Sequence, residues 1–292
     1  MREFAVEAGG VELLVRDWGD PDRPALLYWD GLGGCGLHAN EIAPILVEEH
    51  GLRVIAPDAP GHGRSPALPL ESYRPSILAG VAADLLSELG ISRAVFVGFS
   101  WGGRIGCSFA ACFPGRAAGL ALIDGGYLEW ADIQGVDTSV DLESCITRAR
   151  RSAEGDSFAS WDAYFALQRA ALGRWTLALA DAHRAMMREA DGRIVPILEP
   201  EVAGAIRHGE FHEPLATTYP PLASAGIPVL LLTAPEEAKY QASAEAAIGR
   251  FRSALPNARV ESRPDAVHDL VSYAPAEVAE LVGGLAGSQP PP

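Results

Sequence analysis

The stretch Ala94-Val95-Phe96-Val97-Gly98-Phe99-Ser100-Trp101-Gly102-Gly103 decides how the rest of the chain is read. Four apolar residues in a row have the character of a buried strand. Small residues from 101 to 113 then carry a helix, and Gly98 to Gly102 between the two fits G-x-S-x-G. A strand that turns this sharply into a helix strains the backbone at the serine, and only small neighbours avoid a clash there. The turn lifts the Ser100 hydroxyl above the sheet and aims a helix N-terminus at it, which favours negative charge. A glycine-rich turn with an N-capping serine is the competing account, and the order of the flanking segments weighs against it.

Working outward, residues 4–6 and 11–18 read as a hairpin around Gly9-Gly10. Residues 25–29 form a short apolar run, closed by Asp30-Gly31-Leu32-Gly33-Gly34. A helix is predicted over 39–49, a strand over 53–56 and a helix over 73–89, where Ile77, Val81, Leu85 and Leu89 recur at helical spacing. Residues 120–123 are another buried strand. Continuous apolar strands separated by helices imply an α/β class with a parallel sheet covered on both faces. After Gly126 the pattern changes. Residues 127–220 are helix-like and aromatic (Trp130, Phe158, Trp161, Tyr164, Phe165 and Trp175) without a strand of the earlier type. Alternation returns with a strand at 228–232, a helix from about 236 to 254, a strand near 258–262 and a helix over 275–285. The expected organisation is an α/β core of residues 1–126 and 221–286, with residues 127–220 inserted as a helical cap. Such a lid would lie over the carboxyl ends of the strands, where ligands bind in open α/β sheets. Residues 287–292, ending in three prolines, are expected to be disordered.

Seven histidines are present: His38, His50, His62, His183, His208, His212 and His268. His268 alone follows the last predicted strand and precedes the final helix, so its loop can reach back to Ser100 as a base. His62, in Asp58-Ala59-Pro60-Gly61-His62-Gly63-Arg64-Ser65, reads as part of a structural loop, and the three histidines of 127–220 as cap surface. Two acids compete to orient His268. Asp124 ends the strand after the Ser100 helix and has no capping role to explain it. Glu237 follows the 228–232 strand, but Thr233-Ala234-Pro235-Glu236 fits an ordinary helix start. Asp124 is the favoured candidate and Glu237 the alternative. The main-chain N–H groups of Leu32 and Trp101 are candidates for holding a developing oxyanion. The glycines around Leu32 match neither G-x-G-x-x-G nor a P-loop. Gly31, Trp130, Trp161 and Tyr164 are candidate substrate contacts.

Composition narrows the function classes. Against 38 Asp and Glu stand 23 Lys and Arg, a formal charge of −15. A surface this acidic repels phosphate backbones and anionic lipid, so neither nucleic acid nor membrane is an expected partner. The first residues lack the apolar core of a secretion signal, and the expected location is cytoplasmic. Cys35, Cys107, Cys112 and Cys145 form no CxxC pair and have no His at metal spacing, so neither a disulfide nor a metal site is expected. A chain of 292 residues buries enough surface to need no such staple.

Four segments in this order resemble the α/β-hydrolase superfamily: Asp30 to Gly34, Asp58 to Ser65, Gly98 to Gly103, and the loop Asp265 to Asp269. The resemblance implies an eight-stranded, mostly parallel sheet with a helical cap, the chain order nucleophile–acid–histidine, and no cofactor. On that pattern Ser100 is the nucleophile and His268 the base, and either acid position is used within the superfamily. Two departures stand out: Asp30 and Phe99 occupy positions where many members have histidine. The expectation is hydrolysis of a small-molecule carboxylic ester or lactone by a monomer or homodimer. Thioester cleavage, C–C bond hydrolysis, a lyase reaction on the same scaffold and a non-catalytic ligand receptor are the alternatives.

Overall fold

Apolar residues in unbroken runs need cover on both faces of a sheet, and the helices between these strands supply it. The computed structural model describes residues 1–236 and 240–287. An antiparallel pair opens the chain, β1 (Arg2–Ala8) and β2 (Val11–Trp18). Then β3 (Ala25–Trp29), α1 (Ile42–Glu48), β4 (Arg53–Pro57), α2 (Pro75–Glu88), β5 (Ala94–Phe99), α3 (Trp101–Cys112) and β6 (Ala117–Ile123) follow. The next stretch holds α4 (Leu142–Ala153), α5 (Trp161–Leu172), α6 (Leu177–Met186), the pair β7 (Met187–Ala190) and β8 (Arg193–Pro196), α7 (Pro200–His212) and α8 (Tyr219–Ala225). Alternation resumes in β9 (Val229–Thr233), α9 (Gln241–Ala254), β10 (Arg259–Ser262), α10 (Leu270–Tyr273) and α11 (Pro275–Gly287).

Eight strands form one sheet in the order β1-β2-β4-β3-β5-β6-β9-β10, antiparallel at β1-β2-β4 and parallel from there on. This is the α/β-hydrolase fold expected from the sequence. Period-two alternation splits its core in two. Leu27, Trp29, Phe96, Leu120, Leu122 and Leu231 pack on the face covered by α2, α3 and α8. Leu26, Tyr28, Val97, Phe99, Ile123 and Leu232 pack on the opposite face with α1 and α11.

Three expectations need correction. The segment 127–220 is not purely helical: β7 and β8 pair across Asp191-Gly192, both with positive φ, which is an Asp-Gly hairpin turn. The helix expected over 39–49 is a 3-10 turn, Gly36–Asn40, followed by the shorter α1. Gly287, placed in the expected tail, closes α11; residues 288–292 lie outside the described residues.

The sheet places the sites of interest at one end. Asp30 follows β3, Ser100 follows β5, Asp124 follows β6, and the loop with His268 follows β10. The bend at Ser100 is packed without slack. A Cβ on Gly98 would collide with the Gly102 carbonyl, and one on Gly102 with the carbonyl of Trp29. Gly102→Ala is therefore expected to cost about 1–3 kcal/mol, the usual penalty of overpacking. A denaturant midpoint equal to that of the parent would refute this account of the bend.

Candidate active site

Ser100 has φ 51° and ψ −116°, one of three non-glycine residues with positive φ among the described residues. Such a conformation costs on the order of 1–3 kcal/mol and persists only where its surroundings fix it. Here Ser100 N–H donates to the Ile123 carbonyl (2.8 Å), and the Ser100 carbonyl accepts from Gly103 N–H (3.0 Å). The half-buried serine is thus tied to the end of β6 and the first turn of α3.

His268 lies 2.9 Å from it, Nε2 to Oγ, and its Nδ1 lies 2.7 Å from Asp124 Oδ2. Asp124 is buried and also adopts positive φ, which aspartate tolerates better than most residues. Its second oxygen accepts from Ala234 N–H at 3.0 Å. The Tyr127 hydroxyl, 3.4 Å from that oxygen, donates to Glu236 at 3.0 Å. With Oδ2 left for the ring, the carboxylate can hold His268 in the tautomer whose Nε2 lone pair faces Ser100. Desolvation pulls the imidazole pKa down. The hydrogen bond and charge of Asp124, then the charges of Glu236 and Asp269, reverse that and leave it above the ordinary histidine value.

The turn after β3 closes the other side. A Cβ on Gly31 would stand 3.2 Å from Ser100 Cβ, so this turn abuts the bend. Asp30, at one of the two departures from the family pattern, is buried and fully engaged. Its Oδ1 accepts from Gly31 N–H (2.8 Å) and Tyr28 Oη–H (2.9 Å) and lies 2.8 Å from His38 Nδ1. Its Oδ2 accepts from Cys35 N–H at 2.7 Å. Leu32 and Trp101 both line a cavity of about 270 Å³ with Ser100 and His268. Among the described residues, no cluster of three His, Cys, Asp or Glu side chains is placed to hold a metal.

The family model described as the alpha/beta hydrolase fold matches residues 24–275. The chain belongs to the α/β-hydrolase family. Among similar proteins, a 2-hydroxy-6-oxononadienedioate/2-hydroxy-6-oxononatrienedioate hydrolase of Burkholderia vietnamiensis is 38% identical over 123 residues, 40% of this chain and 42% of that protein. The sn-1-specific diacylglycerol lipase ABHD11 of Mus musculus is 34% identical over 106 residues, 36% and 34% of the two chains. The chain thus matches less than half the length of these relatives. Solved structures align along nearly the whole chain. The thioesterase domain from the curacin biosynthetic pathway superposes with a TM-score of 0.78 at 20% identity, covering 97% of this chain and 99% of that one. The enol-lactonase of Burkholderia xenovorans LB400 gives 0.71 at 21% identity, covering 98% and 100%. At such identities the likeness speaks for the fold alone.

In this α/β hydrolase the segment between β6 and β9 is divided in use. Trp130 lines the Ser100 cavity, with its ring under the Arg207 guanidinium and its Nε1–H donating to Glu210. Trp161 and Tyr164 do not line that cavity, contrary to expectation. They pack with Phe165, Trp175, Met187 and Ile194 in a separate, largely aromatic cluster formed by α5, the segment leading into α6 and the β7–β8 pair. His183, expected on the surface, is buried there with its Nδ1 2.8 Å from the Tyr164 hydroxyl, and burial pushes its pKa down to about 4. His62 is buried at Pro60 and stacked on Trp101, in keeping with a structural role. Glu237, the alternative acid, lies outside the described residues.

The sequence reading missed His38. Its only early signal is proximity to Asp30, eight residues away in the chain. Tyr164→Phe is expected to cost about 1–3 kcal/mol of stability through the orphaned His183, read as a lower denaturant midpoint. A midpoint equal to that of the parent would remove the structural role assigned to Tyr164 here.

Proposed function

We propose that this protein is a serine hydrolase cleaving a carboxylic ester or lactone through an acyl-enzyme on Ser100. The supporting observation is the unbroken chain of contacts from Ser100 Oγ through His268 to Asp124, at 2.9 and 2.7 Å. In this reading His268 Nε2 removes the Ser100 proton as Oγ attacks the substrate carbonyl. Asp124 stabilises the resulting imidazolium, and the N–H groups of Leu32 and Trp101 receive the oxyanion. His268 then protonates the departing alkoxide, and water, activated by the same imidazole, releases the acyl group. No step calls for a cofactor.

Residues 127–220 act as the cap. Beyond Leu32, Trp130 and Arg207 the Ser100 cavity adjoins a second chamber of about 490 Å³, lined largely by apolar side chains such as Val136, Leu198 and Phe211. That space suits an apolar acyl or ring group. C–C bond hydrolysis is the second reading, favoured by the similarity to the Burkholderia vietnamiensis enzyme and by Arg148 at the chamber wall, whose guanidinium complements a carboxylate, whereas Arg207 there is already paired with Glu210.

A fluorophosphonate should label the protein at Ser100, and Ser100→Ala should abolish labelling and lower kcat by about 10³- to 10⁶-fold. Retained turnover of p-nitrophenyl butyrate by that variant would end the proposal. Absence of both label and turnover in the parent would favour a receptor. A panel of esters, lactones, thioesters and a vinylogous diketone separates the chemistries.

The pH profile gives a second check. His268 must be neutral to act as a base, and its pKa is raised, so kcat/KM should fall with acidification at a midpoint above about 6.5. Asp124→Asn removes the main cause of the elevation. It should move that midpoint downward and lower kcat by up to about 10⁴-fold. An unmoved midpoint would shift the acid role away from Asp124.

A further inference from the structure

Beside the His268 loop lies a second array of serine, histidine and aspartate that takes no part in the proposed chemistry. His38, in the 3-10 turn Gly36–Asn40, sets Nδ1 2.8 Å from Asp30 Oδ1 and Nε2 2.8 Å from Ser272 Oγ. These spacings match those of the Ser100 array, yet the outcome differs for two reasons. Ser272 is completely buried, so no acyl group can reach its hydroxyl. His38 Nε2 also lies 3.2 Å from Asp269 Oδ1, which puts a carboxylate at each ring nitrogen. Two anions at its nitrogens favour the protonated ring, which has no lone pair to offer as a base.

Both anions adjoin the reacting groups. Asp30 anchors the N–H groups of Gly31 and Cys35, and so fixes the turn that carries Leu32. Asp269 directly follows His268 and caps α10 by accepting from Ser272 N–H at 2.9 Å. Phe99, the residue before Ser100, meets His38 edge-on with ring centroids 5.6 Å apart and lies against His268 at 5.2 Å. His38 therefore touches, directly or across one residue, the segments bearing Leu32, Ser100 and His268. Without a cation between them, the buried Asp30 and the partly buried Asp269 would face each other with only the more distant Arg174 as counter-charge, and their repulsion would push the two loops apart.

We propose that His38, as a buried cation between Asp30 and Asp269, is a positioning residue that fixes the spacing of the Leu32 turn and the His268 loop around Ser100. The inference rests on the serine-hydrolase reading. Charge patterns nearby agree with it. Burial alone would lower the His38 pKa, but the Asp30 and Asp269 carboxylates carry it well above the usual value. Asp269 is held far below the ordinary carboxylate range, against the effect of its own burial, chiefly by the charge of His38. The other titratable groups near the ring are Tyr28 on β3, Glu41 ahead of α1 and His183 on α6. Arg174 neutralises Glu41 and donates to the Ser272 carbonyl.

The test is kcat per fluorophosphonate-titrated serine, with the pH profile, for the parent, His38→Gln and Asp269→Asn. His38→Gln should lower kcat per titrated site by about 10- to 100-fold, the usual effect of a small misplacement of reacting groups, with little change in KM. Its acid limb of kcat/KM should move to higher pH, because Asp269 would act on His268 without its counter-cation. Asp269→Asn should move the same limb to lower pH. A residue that merely stabilised the fold would reduce the number of titratable sites but leave the turnover of each, and both limbs, at parental values; that result overturns the proposal. Should His38→Gln fail to fold, an unmoved limb in Asp269→Asn has the same force. A parent that neither labels nor turns over removes the serine-hydrolase reading and this inference together, whereas a reactive parent with an unaltered His38→Gln removes the inference alone.

Discussion

Everything at the carboxyl end of this sheet depends on backbone packed against backbone around one bend. Gly102 lies against the carbonyl of Trp29, Gly125 against that of Ser100, and Gly103 against the Gly125-Gly126 peptide. No side chain fits between these segments. The ends of β3, β5 and β6 are thereby held close enough for Asp30, Ser100 and Asp124 to sit within one small volume. The left-handed backbone at Ser100 is maintained by this packing, and the two-sided core beneath it supplies the rigidity.

Charge is handled differently inside and outside the molecule. The surplus of acids resides largely on the surface, where solvent screens it. Buried carboxylates instead meet a basic side chain and are hydrogen-bonded by neighbouring groups. Asp124 has His268 and Ala234 N–H; Asp30 has His38 and the N–H groups of Gly31 and Cys35. Asp58 has Arg16 and the N–H groups of Gly36 and Arg64, and Asp17 is held by Arg53 at 3.1 Å through two nitrogens. Interior charge is tolerable on these terms. Three of these four aspartates stand in the turns that follow parallel strands, so the same contacts that neutralise them also stiffen the loops around the site.

The segment between β6 and β9 carries a small core of its own, from Phe158 to Ile194, and a separate face toward the Ser100 cavity formed by Trp130, Ile206, Arg207 and Glu210. Arg104 on α3 reaches across to this face, donating to the carbonyls of Glu210 and Glu213 and pairing with Glu129. The inserted segment is thus fastened to the sheet layer at the helix that starts at Ser100.

What the sequence by itself determined is whatever depends on local pattern. Unbroken apolar runs marked the parallel strands, and the glycines around Ser100 marked the bend, because strand burial and backbone crowding act over a few residues. His268 was legible because chain order alone put its loop at the right end of the sheet. The sequence favoured Asp124 over Glu237 as the acid, but only the tertiary structure brought the Asp124 carboxylate to the far side of His268. It also assigned Trp161 and Tyr164 to the inserted segment's own core, and gave His38 its two aspartate neighbours. Each of those outcomes joins residues distant in the chain, or depends on how aromatic rings share a limited buried volume. Such choices are made by packing and desolvation across elements, which no local pattern encodes.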